Sequence, residues 1–234
     1  MDFLFTVYEN VIKMITKYRK MELIDPQLSK DDFEKNIQVN KYIIVNARYL
    51  KESKINDISS FYILHHNEMI TRKAPEFKKI LDKISNNIKN IYFISSKELS
   101  PHVYKIVISR SHQFNIKIYP HKIFAFELPM HDLCSRHEIM DEKDIAQLLL
   151  DLNLRSKYSL PRIIVGITKS DPQCAWIGAM PDDVIRITRN TTNGESIMYR
   201  VVRNNTNKTT STLNTHKKSF LQSKIKLSNN EKKS

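Results

Sequence analysis

Glycine is nearly missing from this chain: there are three in 234 residues, and the first is Gly166. Phosphate-binding loops, dinucleotide fingerprints and nucleophile elbows all need Gly where the backbone turns tightly or approaches a phosphate. Residues 1–165 therefore exclude those enzyme classes. Cysteine is equally scarce, with only Cys134 and Cys174. Two thiols are too few for a disulfide scaffold, so an intracellular, reducing setting is expected. No run of 18 apolar residues occurs, so no membrane span and no membrane partner are expected. The stretch from Met1 to Lys20 puts its charges after its apolar residues and has no small-residue cleavage site. It reads as an amphipathic helix rather than a secretory signal.

What is present begins with positive charge. The chain carries 38 Lys and Arg against 25 Asp and Glu, a formal charge of +13. The excess is uneven: residues 1–125 hold 21 basic against 13 acidic, residues 126–203 hold 10 against 11, and residues 204–234 hold 7 against 1. A basic face commonly meets polyanions and a near-neutral one commonly meets protein, while a Lys-rich surface also serves solubility alone. Hydrophobic residues make up 41% of the chain, enough for a packed core. The abundance of Lys, Asn and Ile follows from A+T-rich coding and carries no functional weight.

Apolar residues at Leu4, Val7, Tyr8, Val11, Ile12 and Ile15 have helical spacing. Asp31-Asp32-Phe33 opens a second, short helix. Residues 41–50 and 61–65 read as strands, residues 74–88 as a helix with Pro75 in its first turn, and residues 91–95 as a strand. Ser100-Pro101 is an N-cap followed by the first residue of a helix running to about Ser109. A strand bent near Pro120 is expected over residues 115–127. The first half is thus a small α/β unit with a mixed sheet. In the second half, residues 141–152 form an amphipathic helix with an acidic first turn. Residues 184–189 and 196–202 alternate as strands around a hairpin signal at Asn193-Gly194. Beyond Arg203, Asn, Thr, Ser and Lys dominate, which predicts a disordered basic tail.

Several spaced motifs lie between His131 and Val202. His131-Asp132-Leu133-Cys134-Ser135-Arg136-His137 fits an H-x-L-x-P-x-H pattern with Ser135 in place of Pro. Leu160-Pro161-Arg162-Ile163 supplies L-P-x-I, and Asp171-Pro172 supplies D-P. Gly178 follows, then Asp182 where a second Gly is usual, and Asp tolerates left-handed backbone better than most residues. A strand ending in Arg189, a loop ending in Gly194 and the pair Tyr199-Arg200 complete the series. This series resembles the fifth subunit shared by eukaryotic nuclear RNA polymerases, a family that includes a shorter archaeal counterpart. The spacer before Asp171 is four residues longer than the family's. Either an insertion sits there or residues 164–167 take the L-P-x-I place. The loop before Gly194 is one residue short and lacks the usual Glu.

The resemblance implies an α+β protein of three parts: a jaw domain over residues 1–125, a polymerase assembly domain over 126–203, and the basic tail over 204–234. It implies a non-catalytic subunit that docks on the largest polymerase subunit beside neighbouring small subunits and flanks downstream duplex DNA. No cofactor and no small-molecule substrate are implied. Archaeal members lack the jaw, so a lineage with the eukaryotic architecture is implied. The divergence favours a large DNA virus, acting in the virion or host cytoplasm; a cellular version would act in the nucleus. His131, Leu133, His137, Pro161, Arg162, Asp171, Pro172, Gly178, Arg189, Gly194, Tyr199 and Arg200 are the expected assembly positions. Lys97, Ser100 and Lys105 are the expected nucleic-acid positions, because a helix N-terminus with nearby lysines suits a phosphate.

Three rival chemistries are weaker. His131, Cys134 and His137 suit zinc, but a fourth ligand is missing unless distant Cys174 supplies it. Structural hydrogen bonds are the favoured role for both His. Asp57 with Glu76-Phe77-Lys78 loosely matches a metal-dependent nuclease, although Glu76 fits a helix first turn and Lys78 its solvated face. A free-standing basic nucleic-acid-binding protein would explain the charge but not the ordered motifs. His65-His66 lacks a partner acid, and Trp176 reads as buried packing rather than a base-stacking platform.

Overall fold

The stripe predicted for the first helix is the stripe that is buried. Helix α1 (Asp2–Lys13) sinks Leu4, Val7, Tyr8, Val11 and Ile12 into the core. Ile15 follows in the π-helical turn Met14–Tyr18 that continues it. The computed structural model describes residues 2–49, 58–65, 74–85, 87–192 and 194–204. The π turn closes with the Arg19 amide donating to Met14 O at 2.9 Å. That extra residue in the turn brings Arg19 inward.

A five-stranded mixed sheet follows: β1 (Met21–Leu23), β2 (Tyr42–Tyr49), β3 (Ile58–Leu64), β4 (Ile88–Ser95) and β5 (Asn115–Pro120), in that spatial order. The first three strands are antiparallel neighbours, and β3, β4 and β5 run parallel. Parallel strands need crossovers, and α3 (Ala74–Lys83) and α4 (Pro101–Ser109) supply them. Both pack on one sheet face, burying Phe77, Leu81, Val103 and Val107 against Phe93, Ile116 and Ile118. The other face, with Val45, Phe61, Tyr92, Ile94 and Tyr119, takes α1 and α2 (Lys30–Asn40). Ser29 caps α2 by accepting from the Asp32 amide. Each fully buried Val, Ile or Phe contributes about 1.5–3 kcal/mol.

Two expected elements end early. The helix expected over 74–88 stops at Lys83, because Ile88 is taken by β4, where it pairs with Ile58. The strand expected through Glu127 stops at Pro120. Proline has no N–H to continue a ladder, and the chain turns into short 3₁₀ helices at His121–Phe124 and Leu128–Met130.

The second half is a four-stranded mixed sheet in the order β6 (Arg136–Ile139), β8 (Val184–Thr191), β9 (Gly194–Arg203), β7 (Arg162–Ile164). Helix α5 (Glu142–Asp151) covers one face through Leu148, against Val184 and Val201. A short helix, α6 (Pro172–Ile177), covers the other, with Cys174 against Ile185, Ile187 and Val202. The α+β class expected for the chain is the class observed. Strands β1, β6 and β7 and helix α6 lie in stretches for which no element was predicted. Residues 2–203 pack as one unit. Residues 205–234, where the basic tail is expected, lie outside the described residues, as does Asn193 of the hairpin signal.

Candidate docking surface and nucleic-acid loop

The motif residues divide into those that build the second half and those that it displays. Asp171, Pro172 and Gly178 are the ends of α6. Asp171 is the N-cap, its carboxylate accepting from the Cys174 amide at 3.0 Å, and Pro172 fills the first helical position. Gly178 ends the helix at φ +74°. Asp182, standing where a second Gly is usual, also has positive φ, at +75°.

Helix α6 is held between the two sheets. Cys174 belongs to the second sheet's core, while Ala175 and Trp176 belong to the core of the first. Trp176 is fully buried, its indole N–H donates to Ile123 O at 2.8 Å, and Tyr18 and Phe124 rings pack on it. The packing role read for Trp176 is the observed one. Arg19 also reaches α6. It is 5% exposed, its Nη2 donates to Ala175 O at 2.5 Å, and its guanidinium lies 4.5 Å from the centre of the Tyr92 ring. Its Nε and Nη1 make no hydrogen bond of good geometry among the described residues, and the ring faces of Tyr92 and Phe61 together with the neighbouring Tyr119 hydroxyl supply its compensation. A Cβ at Gly178 would sit 3.2 Å from Arg19 Cδ. Sequence reasoning missed Arg19 entirely; its one signal was an Arg at the end of an otherwise apolar helical stripe.

Other tethers join the halves. Glu127 accepts from Lys17 Nζ and the Tyr18 hydroxyl, each at 2.6 Å, and lies 3.5 Å from Lys13 Nζ. The Lys17 hydrogen bond holds its carboxyl below the usual range. The long spacer before Asp171 turns at Gly166, whose amide donates to Lys169 O at 2.8 Å. Ile167 O then accepts from the Ile118 amide at 2.7 Å. The spacer thus meets the outer edge of β5 at this bond, and an edge strand met in this way is less open to edge-to-edge association.

The remaining motif residues face outward or are half-buried. His131 Nδ1 accepts from the Leu133 amide at 3.2 Å, and Leu133 itself is 89% exposed. Phe126 and Met130 are exposed beside it in the chain, with Phe126 tilted against the His131 ring. His137 Nδ1 lies 2.8 Å from Ser135 O, and Arg189 Nε donates to Ser135 Oγ at 3.2 Å. Pro161 O accepts from the Val201 amide, and Arg200 Nη1 donates to Arg162 O at 3.1 Å, tying β9 to β7. Tyr199 faces Arg186 across the β8–β9 ladder, and Gly194, at φ +117°, has open space around it. On β6, burial would raise the Glu138 carboxyl, but bonds from Arg186 and charge from Arg136 outweigh it and hold the group low.

Among the described residues no three His, Cys, Asp or Glu are grouped to hold a metal. Cys174 is buried, and burial pushes its thiol up, which opposes the thiolate that zinc binds. Glu76 and Lys78 are exposed on α3, while Asp57 and His66 lie outside the described residues. His65 follows β3, its amide donating to Lys41 O.

The nucleic-acid candidates lie where β4 passes into α4. Ser100 caps α4 by accepting from the Val103 amide at 3.3 Å. Lys97 is exposed in the loop, its backbone bonded to the Ser95 hydroxyl, and Lys105 is exposed in the second turn of the helix.

A two-sheet α+β chain with this ordered motif series is of the class of small subunits found in multisubunit RNA polymerases. Residues 126–202 match the family described as RNA polymerase Rpb5, C-terminal domain, and the chain belongs to that family of DNA-directed RNA polymerase subunits. An RPB5 homolog of African swine fever virus (isolate Tick/South Africa/Pretoriuskop Pr4/1996) is 26% identical over 211 residues, covering 86% of this chain and 95% of the viral protein. Archaeal subunits Rpo5 match a shorter stretch. That of Methanococcoides burtonii is 40% identical over 78 residues, which is 33% of this chain and 94% of the archaeal one. That of Archaeoglobus fulgidus is 38% identical over 78 residues, 33% of this chain and 96% of its own.

Proposed function

We propose that the chain is a non-catalytic subunit that docks on the largest polymerase subunit through residues 126–203, while residues 1–125 flank downstream duplex DNA. The observation that carries the docking half is Leu133: a motif residue and a large apolar side chain, it is 89% exposed. Met130 and Phe126, nearby in the same segment, are also exposed, and exposed large apolar residues gathered on one segment suit a contact site. Arg162 and Arg189 are exposed on strands β7 and β8. The charge division supports the rest, since the near-neutral half suits protein and the basic half suits a polyanion. An African swine fever virus relative spans 86% of the chain, which supports a viral transcription complex acting in the virion or host cytoplasm.

The test is purification of the tagged chain from infected or expressing cells, with and without Leu133→Asp. The wild type should bring down the largest subunit. The variant should fold normally and lose it, because an exposed side chain contributes little to the fold but a charge there opposes an apolar contact. Retention of the largest subunit by the variant counts against this surface. A wild-type chain that sediments alone would favour a free-standing nucleic-acid-binding protein.

A further inference from the structure

Strand β9 has ten residues, but β7, its neighbour on one side, has three. Strand β7 meets only Val201, Val202 and Arg203. The Val201 amide points toward that side and donates to Pro161 O at 2.9 Å. Peptide groups alternate in direction along an antiparallel strand. Those of Glu195, Ile197 and Tyr199 therefore point the same way as that of Val201, while Ser196 and Met198 turn theirs toward β8. Among the described residues no strand lies beside β9 on that side between Glu195 and Tyr199. The open edge is roughly 17 Å long at the usual rise per residue.

The other strand edges carry devices that discourage pairing. Strand β5 is met by Ile167, β1 has three residues, and β6 has four with Arg136 and Glu138 among them. The stretch from Glu195 to Tyr199 has no Lys, Arg or Pro, and its register with β8 is unbroken. It is apolar on both faces, with Ile197 50% exposed on one and Met198 37% exposed on the other. A row of outward N–H and C=O groups matches an extended polypeptide backbone, which offers the same two groups at the same repeat.

Charge is graded along this edge. Glu195 is exposed at the hairpin end. At the other end Arg162 is exposed, and Arg200 Nη1 donates to Arg162 O at 3.1 Å. Arg136, Arg186 and Arg203 are ion-paired with carboxylates, whereas among the described residues Arg162 and Arg200 are not. Two such guanidinium groups suit an acidic side chain, and Glu195 opposes one at the hairpin end.

We propose that the edge from Glu195 to Tyr199 takes up one extended segment of a neighbouring polymerase polypeptide as an added strand. The segment is apolar at its centre, against Ile197 and Met198, and acidic at the end beside Arg162 and Arg200. This inference rests on the reading of residues 126–203 as the docking half and names the kind of segment that docks.

The test is amide hydrogen exchange, read by mass spectrometry with electron-transfer fragmentation, on the free full chain and on the polymerase purified through it. In the free chain the Ile197 and Tyr199 amides should exchange fast and the Met198 amide slowly. In the complex the first two should slow at least about tenfold, as amides entering a ladder do. Ile197→Pro removes an N–H that faces outward, a position where strands tolerate proline. It should lower recovery of the co-purifying polymerase at least about tenfold. Ile197→Lys should act in the same direction, which guards against a misfolded proline variant, and so should Arg162→Glu. Fast exchange at Ile197 and Tyr199 within an assembled polymerase overturns this inference and leaves the docking reading standing. Full recovery with both Ile197 variants does the same. A purified chain that sediments as a dimer, dispersed by Ile197→Pro, also overturns it by giving the edge to a second copy. A wild-type chain that recovers no polymerase overturns the docking reading and this inference together.

Discussion

A methyl group at position 178 meets two penalties at once. The backbone there has φ +74°, and the new Cβ would sit 3.2 Å from Arg19 Cδ. Left-handed backbone costs an L-residue about 1–2 kcal/mol, and Arg19 has little room to retreat from a fully packed site. Gly178→Ala is expected to lower unfolding free energy by about 1–3 kcal/mol in a denaturant titration; no change in midpoint would mean that Arg19 moves freely. Lys117 gives a residue-scale prediction with a pH signature. Burial first, then the charge of Arg19, drives its pKa down from 10.5 to about 8, against opposing contributions from Asp183 and Cys174. Between those values the unfolded chain binds a proton that the folded one has released, so stability rises with pH. The rise is at most about 3 kcal/mol. Above pH 10 the buried tyrosines reverse it, since burial pushes Tyr62 up to about 12 and Tyr119 further still. Lys117→Met should raise the melting temperature at pH 7 and remove the increase between pH 8 and 10. A wild-type melting temperature flat over that interval would count against the buried ammonium.

Elements were legible in the sequence in proportion to how local their cause is. The stripe of α1 and the cap at Ser100 depend on a few neighbouring residues, and each sits where its chemistry put it. Strand β7 has three residues and β6 four, too few for a period of two to stand out, and their existence depends on β8 and β9 far along the chain. Helix α6 has six residues and gave no periodic signal, yet its motif ends, Asp171, Pro172 and Gly178, were all legible as a pattern. What sequence reasoning could not supply was the reason for that pattern, because Arg19 meets it only through the π turn. Asp171→Ala should remove the cap and cost about 1 kcal/mol, read as a shifted denaturant midpoint with unchanged slope. The loop from Lys97 to Ser100 carries its own prediction: with Lys97→Ala/Lys105→Ala, footprinting of an elongation complex should lose downstream protection. An unchanged boundary would leave Ser100 as a helix cap alone.

At the scale of the whole molecule, the uneven charge and the spaced motifs were plain in the sequence, but the way the two halves are joined was not. Tethers at Glu127, at Ile167 and at Arg19 each pair residues more than forty positions apart, beyond the reach of any local pattern. The tail over residues 204–234, with 7 Lys against 1 acid, is expected to bind nucleic acid without sequence preference. If three of its lysines meet duplex phosphates, deleting it should flatten the slope of log K against log salt by roughly 2.7, at about 0.9 per phosphate. An unchanged slope would assign the tail to protein contact or solubility. Archaeal relatives consist almost wholly of the matched stretch, yet here that stretch sends Trp176 into the other half's core, where Tyr18 and Phe124 enclose it. It is also the one tryptophan of the chain. The protein therefore carries a built-in optical probe at its joint: emission should be blue in the intact chain and move to longer wavelength whenever the halves part, so that binding to a polymerase or to DNA reports directly on whether the subunit engages as a rigid body or by opening.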